Sequence, residues 1–511
     1  MNPRYAPWQL RAAFAARLSD MYGREVPAYT TLVDVTRAVN EDVLRERGAA
    51  AERLGSIGRV TAERHGAIRV GTPAELGQVA RVFGALGMRP VGFYDLREAA
   101  ASAVPVVSTA FRPVDADELA RNPFRVFTSL LTPADPRFFD EGLRKRLEGF
   151  LAARELFPPE LLALADRAEA DGGLAGADAE RFLGLAVAAF ELSREPIDKA
   201  WYEELERVSA VAADIGGVRG THINHLTPRV LDIDELYRRM TARGVRMIDT
   251  VQGPPAWDGP DVLLRQTSFR ALDEPRALRL ADGSVTSGVL RVRFGEVEAR
   301  GIALTRAGRA LYDELLTRVD DRLARGDRGR ARGGDRLARG DRLARGDGLA
   351  LGDGRRPATP AERAEAARAV WSAALPRTER ELAARGLGHF TYHVVADRPR
   401  DGAPPPTGLG DLLDAGWVRA EPLVYEDFLP RSAAGIFQSN LEGAGVRDDA
   451  VAGAAYDSAW LSGAMGREVL DPFDLYEARQ RASLAVVARK LRVPGPGAPA
   501  GGCAPAGGCA P

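Results

Sequence analysis

Apolar residues change their spacing several times along this chain, and each change marks a boundary between elements. Residues 8 to 21 place Trp8, Leu10, Phe14 and Leu18 at helical spacing ahead of Pro27, which predicts a helical cap over residues 1–60. From His65 the pattern turns β-like. It predicts a strand over 65–70, a helix opened by Thr72-Pro73 and running through Leu76, Val79, Val82 and Leu86, and a strand over 89–94. Apolar stretches at Val104 to Phe111 and Phe124 to Leu131 follow, so residues 61–135 read as one β-α-β-β-β module.

Leu, Phe and Ala at three-to-four spacing then predict a helical insertion over 136–215. The earlier order recurs in 216–305. A strand around 222–231 leads to Asp232 as helix N-cap, with Leu236, Tyr237 and Met240 on one helix face and a strand over 245–251 beyond. Val262 to Ser268 and a hairpin around Ala281-Asp282-Gly283-Ser284 lead into a strand carrying Glu296 and Glu298. The expected fold is therefore α+β, with two β-α-β-β-β modules related by element order.

A helix is expected over 306–320. Residues 321–357 repeat Asp-Arg-Leu-Ala-Arg-Gly from Asp321, Asp335 and Asp341; one leucine per repeat among several charges buries too little to offset chain entropy, which predicts a disordered insertion. Its Arg-Gly-Asp triplets fall out of the repeat and carry no separate meaning. Residues 358–493 form a C-terminal region with a helix after Pro360 and a strand over 389–396. The Pro-Gly-Ala tail at 494–511 is expected to be disordered.

Composition narrows the function classes. The chain has 511 residues, 45% of them apolar, and 70 basic against 71 acidic side chains. It can bury a large core, and no net field recommends nucleic acid or an anionic membrane as partner. A small-molecule substrate is the default. Lysine occurs only at Lys145, Lys199 and Lys490 and the other basic residues are arginine, a coding bias given no functional weight. Cys503 and Cys509 lie in the tail, so the folded part has neither a disulfide framework nor a thiolate metal site. The first residues lack a basic stretch followed by an apolar run, and no segment carries about 18 uninterrupted apolar residues. A cytoplasmic location is expected.

Three distant segments hold the candidate chemistry: Arg64-His65-Gly66-Ala67-Ile68-Arg69, Thr221-His222-Ile223-Asn224-His225, and Phe294-Gly295-Glu296-Val297-Glu298. Side chains two or four apart on a strand share a face, so His65 and Arg69 point the same way, one suited to a metal and the other to an anion. Taken alone, that segment reads more readily as a hydrogen-bonded core histidine and a surface arginine. His222 and His225 are three apart, and strand parity admits only one of them; the Leu226 to Leu231 run favours His225. Glu296 and Glu298 share a face, so parity does not separate them. Two imidazoles and a carboxylate leave positions open on Fe(II), although zinc accepts the same donors. His389 and His393 form a weaker rival pair without a local carboxylate.

The segments 63–69, Asn-Pro-Phe-Arg-Val-Phe-Thr-Ser-Leu-Leu (122–131), 222–229, Leu-Leu-Arg-Gln-Thr-Ser-Phe (263–269), 294–301 and Ser-Ala-Ala-Gly-Ile-Phe-Gln-Ser-Asn-Leu (432–441) resemble the 2-oxoadipate dioxygenase/decarboxylase, or hydroxyglutarate synthase, family. The likeness spans roughly residues 10–490 apart from the repeat. It implies a vicinal-oxygen-chelate-like fold, Fe(2+) as cofactor, and a 2-oxo dicarboxylic acid and O2 as substrates, with 2-oxoadipate converted to (R)-2-hydroxyglutarate and CO2 in lysine breakdown. By the same resemblance the metal ligands and catalytic residues are His65, His225 (alternate His222) and Glu296 (alternate Glu298). Arg69, Arg431 and Ser432 would contact substrate. The family pattern has Val where this chain has Arg431, which bears on substrate choice. A zinc- or nickel-dependent lyase or isomerase on the same scaffold, or a dioxygenase for another 2-oxo acid, is the alternative; an interaction protein using the Arg/Asp repeat is a third. No oligomeric state follows from the sequence.

Overall fold

A computed structural model describes residues 4–98, 104–291, 293–334, 359–396, 402, 404–440, 447–448 and 450–494. Two compact units make up the chain, one of residues 1–253, 264–300 and 426–475, the other of 254–263, 301–425 and 476–511.

The first unit contains both modules. In the first module, strands β1 (Arg64–Val70), β2 (Arg89–Asp95), β3 (Val106–Arg112) and β4 (Arg125–Leu131) lie in the order β2-β3-β4-β1, and β5 (His225–Pro228) adds to the free side of β1. Thr72 caps the helix Pro73–Ala85 through a capping box with Glu75, and Pro73 occupies its first turn. The second module uses β5, the helix Ile233–Ala242, β6 (Leu264–Phe269) and β9 (Gly295–Arg300), with the hairpin β7 (Glu274–Arg279) and β8 (Val285–Leu290) between β6 and β9. Arg229, just past β5, bridges Glu298 in parallel. Residues 247–252 run along the other side of β6, bridging at Met247 and Gln252. The second module thus repeats the strand order of the first.

One expected strand is not continuous. Residues 245–251 bend at Asp249-Thr250, and only Ile248 and Gln252 donate backbone hydrogen bonds to β6, at 2.9 and 2.7 Å. The Asp249 carboxylate there turns outward to the guanidinium of Arg270. The strand before the second helix is likewise shorter than expected: Thr221 to Asn224 precede it in irregular backbone.

The modules join edge to edge through antiparallel pairing of β1 and β5, His65 opposite Thr227 and Ala67 opposite His225. Both faces of this sheet are buried, so the strands read as nearly continuous apolar runs. One face is apolar. There Phe83 and Phe111 (5.2 Å between ring centroids), Phe14 and Phe124 (5.8 Å), and Phe157 and Phe190 (5.8 Å) join the helix Pro73–Ala85, the N-terminal helix Pro7–Glu25 and the inserted helices into one core. Each fully buried ring contributes roughly 1.5–3 kcal/mol. Gly66 faces this side, where a Cβ would stand 2.7 Å from Ile223 Cδ1, so its lack of a side chain admits the 221–226 segment. The other face carries His65, Arg69, Arg125, His225, Arg229 and the two glutamates of β9. Between the modules, residues 136–215 supply the helices Glu141–Ala152, Pro159–Asp171, Gly176–Ala188, Lys199–Val208 and Ala210–Gly216.

In the second unit the helices Arg306–Gly334 and Pro360–Ala374 pack through Tyr312 and Trp371, 5.9 Å apart and edge to face. Strands β10 (Phe390–Val394) and β11 (Val418–Pro422) pair antiparallel. The first copy of the Asp-Arg-Leu-Ala-Arg-Gly repeat is not irregular as expected: it continues the helix to Gly334. Ala, Leu and Arg are good helix formers, and a helix already nucleated by buried Tyr312, Leu315 and Val319 extends into them at little cost. The later repeat copies and the expected disordered tail beyond residue 494 lie outside the described residues. No helix among the described residues is long and apolar enough to cross a membrane.

Candidate metal centre

Three adjacent strands place one donor each at a common point. His65 stands on β1, His225 on β5 and Glu296 on β9, all buried, and one ligand atom from each lies within 4.8 Å of the others. His65 Nε2 is 3.4 Å from Glu296 Oε2, and His225 Nε2 is 3.3 Å from Glu296 Oε1. The two rings meet edge to face with centroids 5.4 Å apart.

The other ring nitrogens are held from behind. His65 Nδ1 is 2.8 Å from Glu298 Oε2, and His225 Nδ1 is 3.1 Å from Thr227 Oγ1. A proton on each Nδ1 leaves both Nε2 lone pairs directed at the shared point, the arrangement that orients metal-binding histidines. Both ring nitrogens of His65 are buried without a well-formed hydrogen bond, and Nε2 is the one turned toward Glu296 and the shared point. The residues present fit a divalent ion with two imidazoles and one carboxylate.

Charge separates the two glutamates. Burial pushes the Glu296 carboxyl above its ordinary range, which His65 offsets only in part; Gln266 Nε2 donates to it at 3.3 Å. Burial also opposes ionisation of Glu298, but Arg300, His65 and Arg125 outweigh it and bring that group down to about 2. Arg300 reaches Glu298 through Nε and Nη2 at 2.7 and 2.9 Å, a bidentate pair. Glu298 is thus spent on arginine and on His65, whereas Glu296 makes no ion pair with an arginine or lysine among the described residues. Burial, with the charges of His65 and Arg69, keeps His225 well below the ordinary imidazole value. Burial opposes a charge on His65 too, yet Glu298 and Glu296 raise it above that value.

Behind Glu298 lies a buried network. Arg125 Nη2 meets Glu426 Oε2 at 2.6 Å and Glu63 Oε1 at 2.8 Å, and Arg229 Nη1 meets Glu63 Oε2 at 2.9 Å. Arg59 pairs with Glu426, and Arg112 with Asp427 at 2.7 Å. These bonds fasten residues 426–428 across the polar face and set the Phe428 ring 4.9 Å from His65 and 5.0 Å from Phe127. Phe294 stacks on His225 at 5.4 Å. Tyr22, from the N-terminal helix, donates to the carbonyls of Phe294 (2.8 Å) and Asn224 (3.1 Å) and ties β5 to β9.

Arg69 shares the face of His65, about 13 Å along β1 at a strand's rise per residue. Its Nη1 pairs with buried Asp214, which also accepts from Asn224 Nδ2 at 2.9 Å and lies 3.3 Å from His222 Nε2. His222 therefore belongs to the Arg69 end and not to the three-donor point. Ser432 is buried near the start of the helix Pro430–Asn440, whereas Arg431 is exposed and makes no ion pair or hydrogen bond with a described residue. In the second unit, His389 is buried against Tyr476, where burial lowers it to about 4, and exposed His393 lies 3.3 Å from Glu421 Oε2. They share no site.

Sequence reasoning missed Asp214, Glu63, Glu426, Asp427 and Phe428. A signal existed for three of them: Asp214 is a lone charge in the apolar Ala-Val-Ala-Ala-Asp-Ile-Gly helix, and Glu426-Asp427 interrupt Leu-Val-Tyr and Phe-Leu. Charges set inside such runs are buried and paired when they occur.

The family model described as 2-oxoadipate dioxygenase/decarboxylase matches residues 14–440. Among curated proteins, the 2-oxoadipate dioxygenase/decarboxylase of Mycobacterium tuberculosis is 54% identical over 477 residues, 93% of this chain and 98% of the relative. That of Pseudomonas putida is 40% identical over 504 residues, 96% and 99% of the two chains. The solved hydroxyglutarate synthase from Pseudomonas putida in complex with 2-oxoadipate superposes with a TM-score of 0.78 at 38% identity, covering 96% of this chain and all of that one.

Proposed function

Because this chain belongs to the 2-oxoadipate dioxygenase/decarboxylase family of enzymes, we propose that it is an Fe(II) enzyme converting 2-oxoadipate and O2 to (R)-2-hydroxyglutarate and CO2. The observation that carries this reading is the convergence of His65 Nε2, His225 Nε2 and the Glu296 carboxylate, with Arg69 further along the same strand face. The proposed setting is lysine breakdown in the cytoplasm.

Iron held by His65, His225 and Glu296 would leave positions for a 2-oxo acid and for oxygen and would supply the redox chemistry between them. The protein's own part is orientation. Arg69 pairs through its planar fork with the distal carboxylate of the substrate, which a flexible ammonium does less well. Asp214 holds that guanidinium in place. Glu298 and Thr227 fix the imidazole tautomers, while Phe428, Phe294 and Phe127 exclude water from the reacting end. Ser432 is assigned to the substrate pocket on the strength of the sequence resemblance; exposed Arg431 is expected to have little influence on substrate choice. Atoms balance when C1 leaves as CO2, C2 becomes the new carboxylate with one oxygen atom of O2, and C3 receives the other as hydroxyl.

The test is oxygen uptake by protein reconstituted anaerobically with Fe(II), with chiral analysis of the product. Stoichiometric loss of O2 and 2-oxoadipate with formation of the R product is expected. Reconstituted protein that consumes no oxygen with 2-oxoadipate overturns the proposal, and oxygen-independent turnover by a zinc-loaded form would assign a lyase or isomerase instead.

A further inference from the structure

The hairpin of β7 and β8 ends in an open sheet edge. The short strand Ile197–Asp198 pairs with the inner side of β7, and β8 lies outermost. The turn fixes which backbone groups of β8 are used. Leu280 N–H donates to the Ser284 carbonyl at 2.9 Å, and Leu278 stands opposite Thr286 and Arg276 opposite Gly288, so the even-numbered residues of β8 spend their backbone groups on β7. Val285, Ser287 and Val289 therefore point their N–H and C=O groups outward, and no described residue takes them.

The side chains of this edge are as unguarded as its backbone. On the face that carries Val285, Ser287 and Val289, their partners on β7 are Arg279, Ala277 and Pro275. Val285 and Val289 are 56% and 55% exposed, the highest values for large apolar side chains among the described residues, and Leu272 before β7 is 39% exposed. Edge strands are ordinarily protected by charge, proline, a bulge or brevity. The run Val285-Thr286-Ser287-Gly288-Val289-Leu290 has neither charge nor proline, and it pairs with β7 without a break in register.

We propose that β8 is an interface between two copies of this chain, which pair edge to edge and antiparallel about a two-fold axis through Ser287. The register follows from the free backbone groups. Only outward-pointing residues can exchange hydrogen bonds across the edge, and centring on Ser287 uses all three: Ser287 meets its counterpart, and Val285 of each copy meets Val289 of the other. The two most exposed valines are thereby set against each other twice on one face, as favourable cross-strand pairs. The ends match in charge as well. Asp282 lies in the turn and Arg291 just past the strand, so antiparallel apposition brings the acidic end of one copy to the basic end of the other. The pairing uses up the edge, and the assembly closes as a dimer. It involves no residue of the metal centre and stands independently of the proposed reaction.

Sedimentation equilibrium of the full chain from about 1 to about 100 µM, which spans weak to moderate association, tests this alongside two double variants. The wild type should pass from monomer to dimer without larger species. Val285→Lys with Val289→Lys sets like charges opposite each other and should weaken dimerisation about 30-fold or more. Val285→Lys with Val289→Glu sets opposite charges there and should regain at least about tenfold of that loss. Both change exposed side chains, and unchanged melting temperatures show that the fold is intact. Without any variant, amide hydrogen exchange at residues 285, 287 and 289 should slow as the wild-type concentration rises. A wild type that stays monomeric over the whole range or grows beyond a dimer, a dimer that survives the lysine pair, a lysine–glutamate pair that regains nothing, or exchange at those amides that ignores concentration overturns the proposal.

Discussion

Exchanging each glutamate of β9 for glutamine separates their roles. Glu296→Gln removes the only carboxylate among the three donors but leaves the arginine network untouched, so Fe(II) or Co(II) affinity should collapse while stability changes little or improves, since burial disfavours that carboxylate more than its neighbours favour it. Glu298→Gln acts the other way. It strips Arg300 of a bidentate partner at 2.7 and 2.9 Å and loosens the 2.8 Å contact with His65 Nδ1. Breaking one partner of a buried pair costs about 3–5 kcal/mol, and losing the group that orients a ligand histidine weakens metal binding about 10–100-fold, or about 1.4–2.7 kcal/mol. Chelator-competition titration under anaerobic conditions reads the affinity, and urea unfolding of the metal-free protein reads the stability. The reasoning is refuted if Glu298→Gln abolishes binding while Glu296→Gln retains it, or if Glu298→Gln leaves stability intact.

Other consequences follow from the same geometry. Arg69→Lys keeps the charge but loses the fork, and should lower kcat/KM for 2-oxoadipate about 10-fold or more, checked by steady-state oxygen uptake. Glu426 is lowered from 4.5 to about 2, because Arg59 and Arg125 overcome the burial that would raise it. A depressed carboxylate contributes stability above its unfolded value that is lost as pH falls toward the folded one, so unfolding free energy should drop between about pH 4.5 and 2 and drop less steeply in Glu426→Gln. Phe428→Ala opens a void beside His65 and Phe127 and should cost about 3–5 kcal/mol in denaturant unfolding. Deleting residues 335–358, whose composition offers little to a core, should leave turnover and melting temperature unchanged.

The sheet strands were legible in the sequence because both faces are buried and the runs are continuous, with Thr72-Pro73 and Asp232 marking the helix starts. The interrupted strand at 247–252 was not, since only Met247 and Gln252 bridge β6 and Asp249-Thr250 between them bend away from it, a pairing made with a segment distant in sequence. Parity placed His225 apart from His222, as the geometry does. It had no means of ranking Glu296 against Glu298, which share a face; only the arginines that reach one and not the other distinguish them, and Arg125 comes from another strand. The role of His222 beside Asp214 was hidden for the same reason: the helix Ala210–Gly216 meets the 221–224 segment only in the folded chain.

The seam between β1 and β5 has a consequence for biosynthesis. His65 emerges from the ribosome long before Glu296, and no half of the chain carries more than two of the three donors. Until residue 300 has been made and the second module has docked, the nascent chain offers no complete chelate, so loading with a metal would be a late event that reports finished assembly. An ion captured then would bridge both modules, and its departure would loosen the very pairing that created its place.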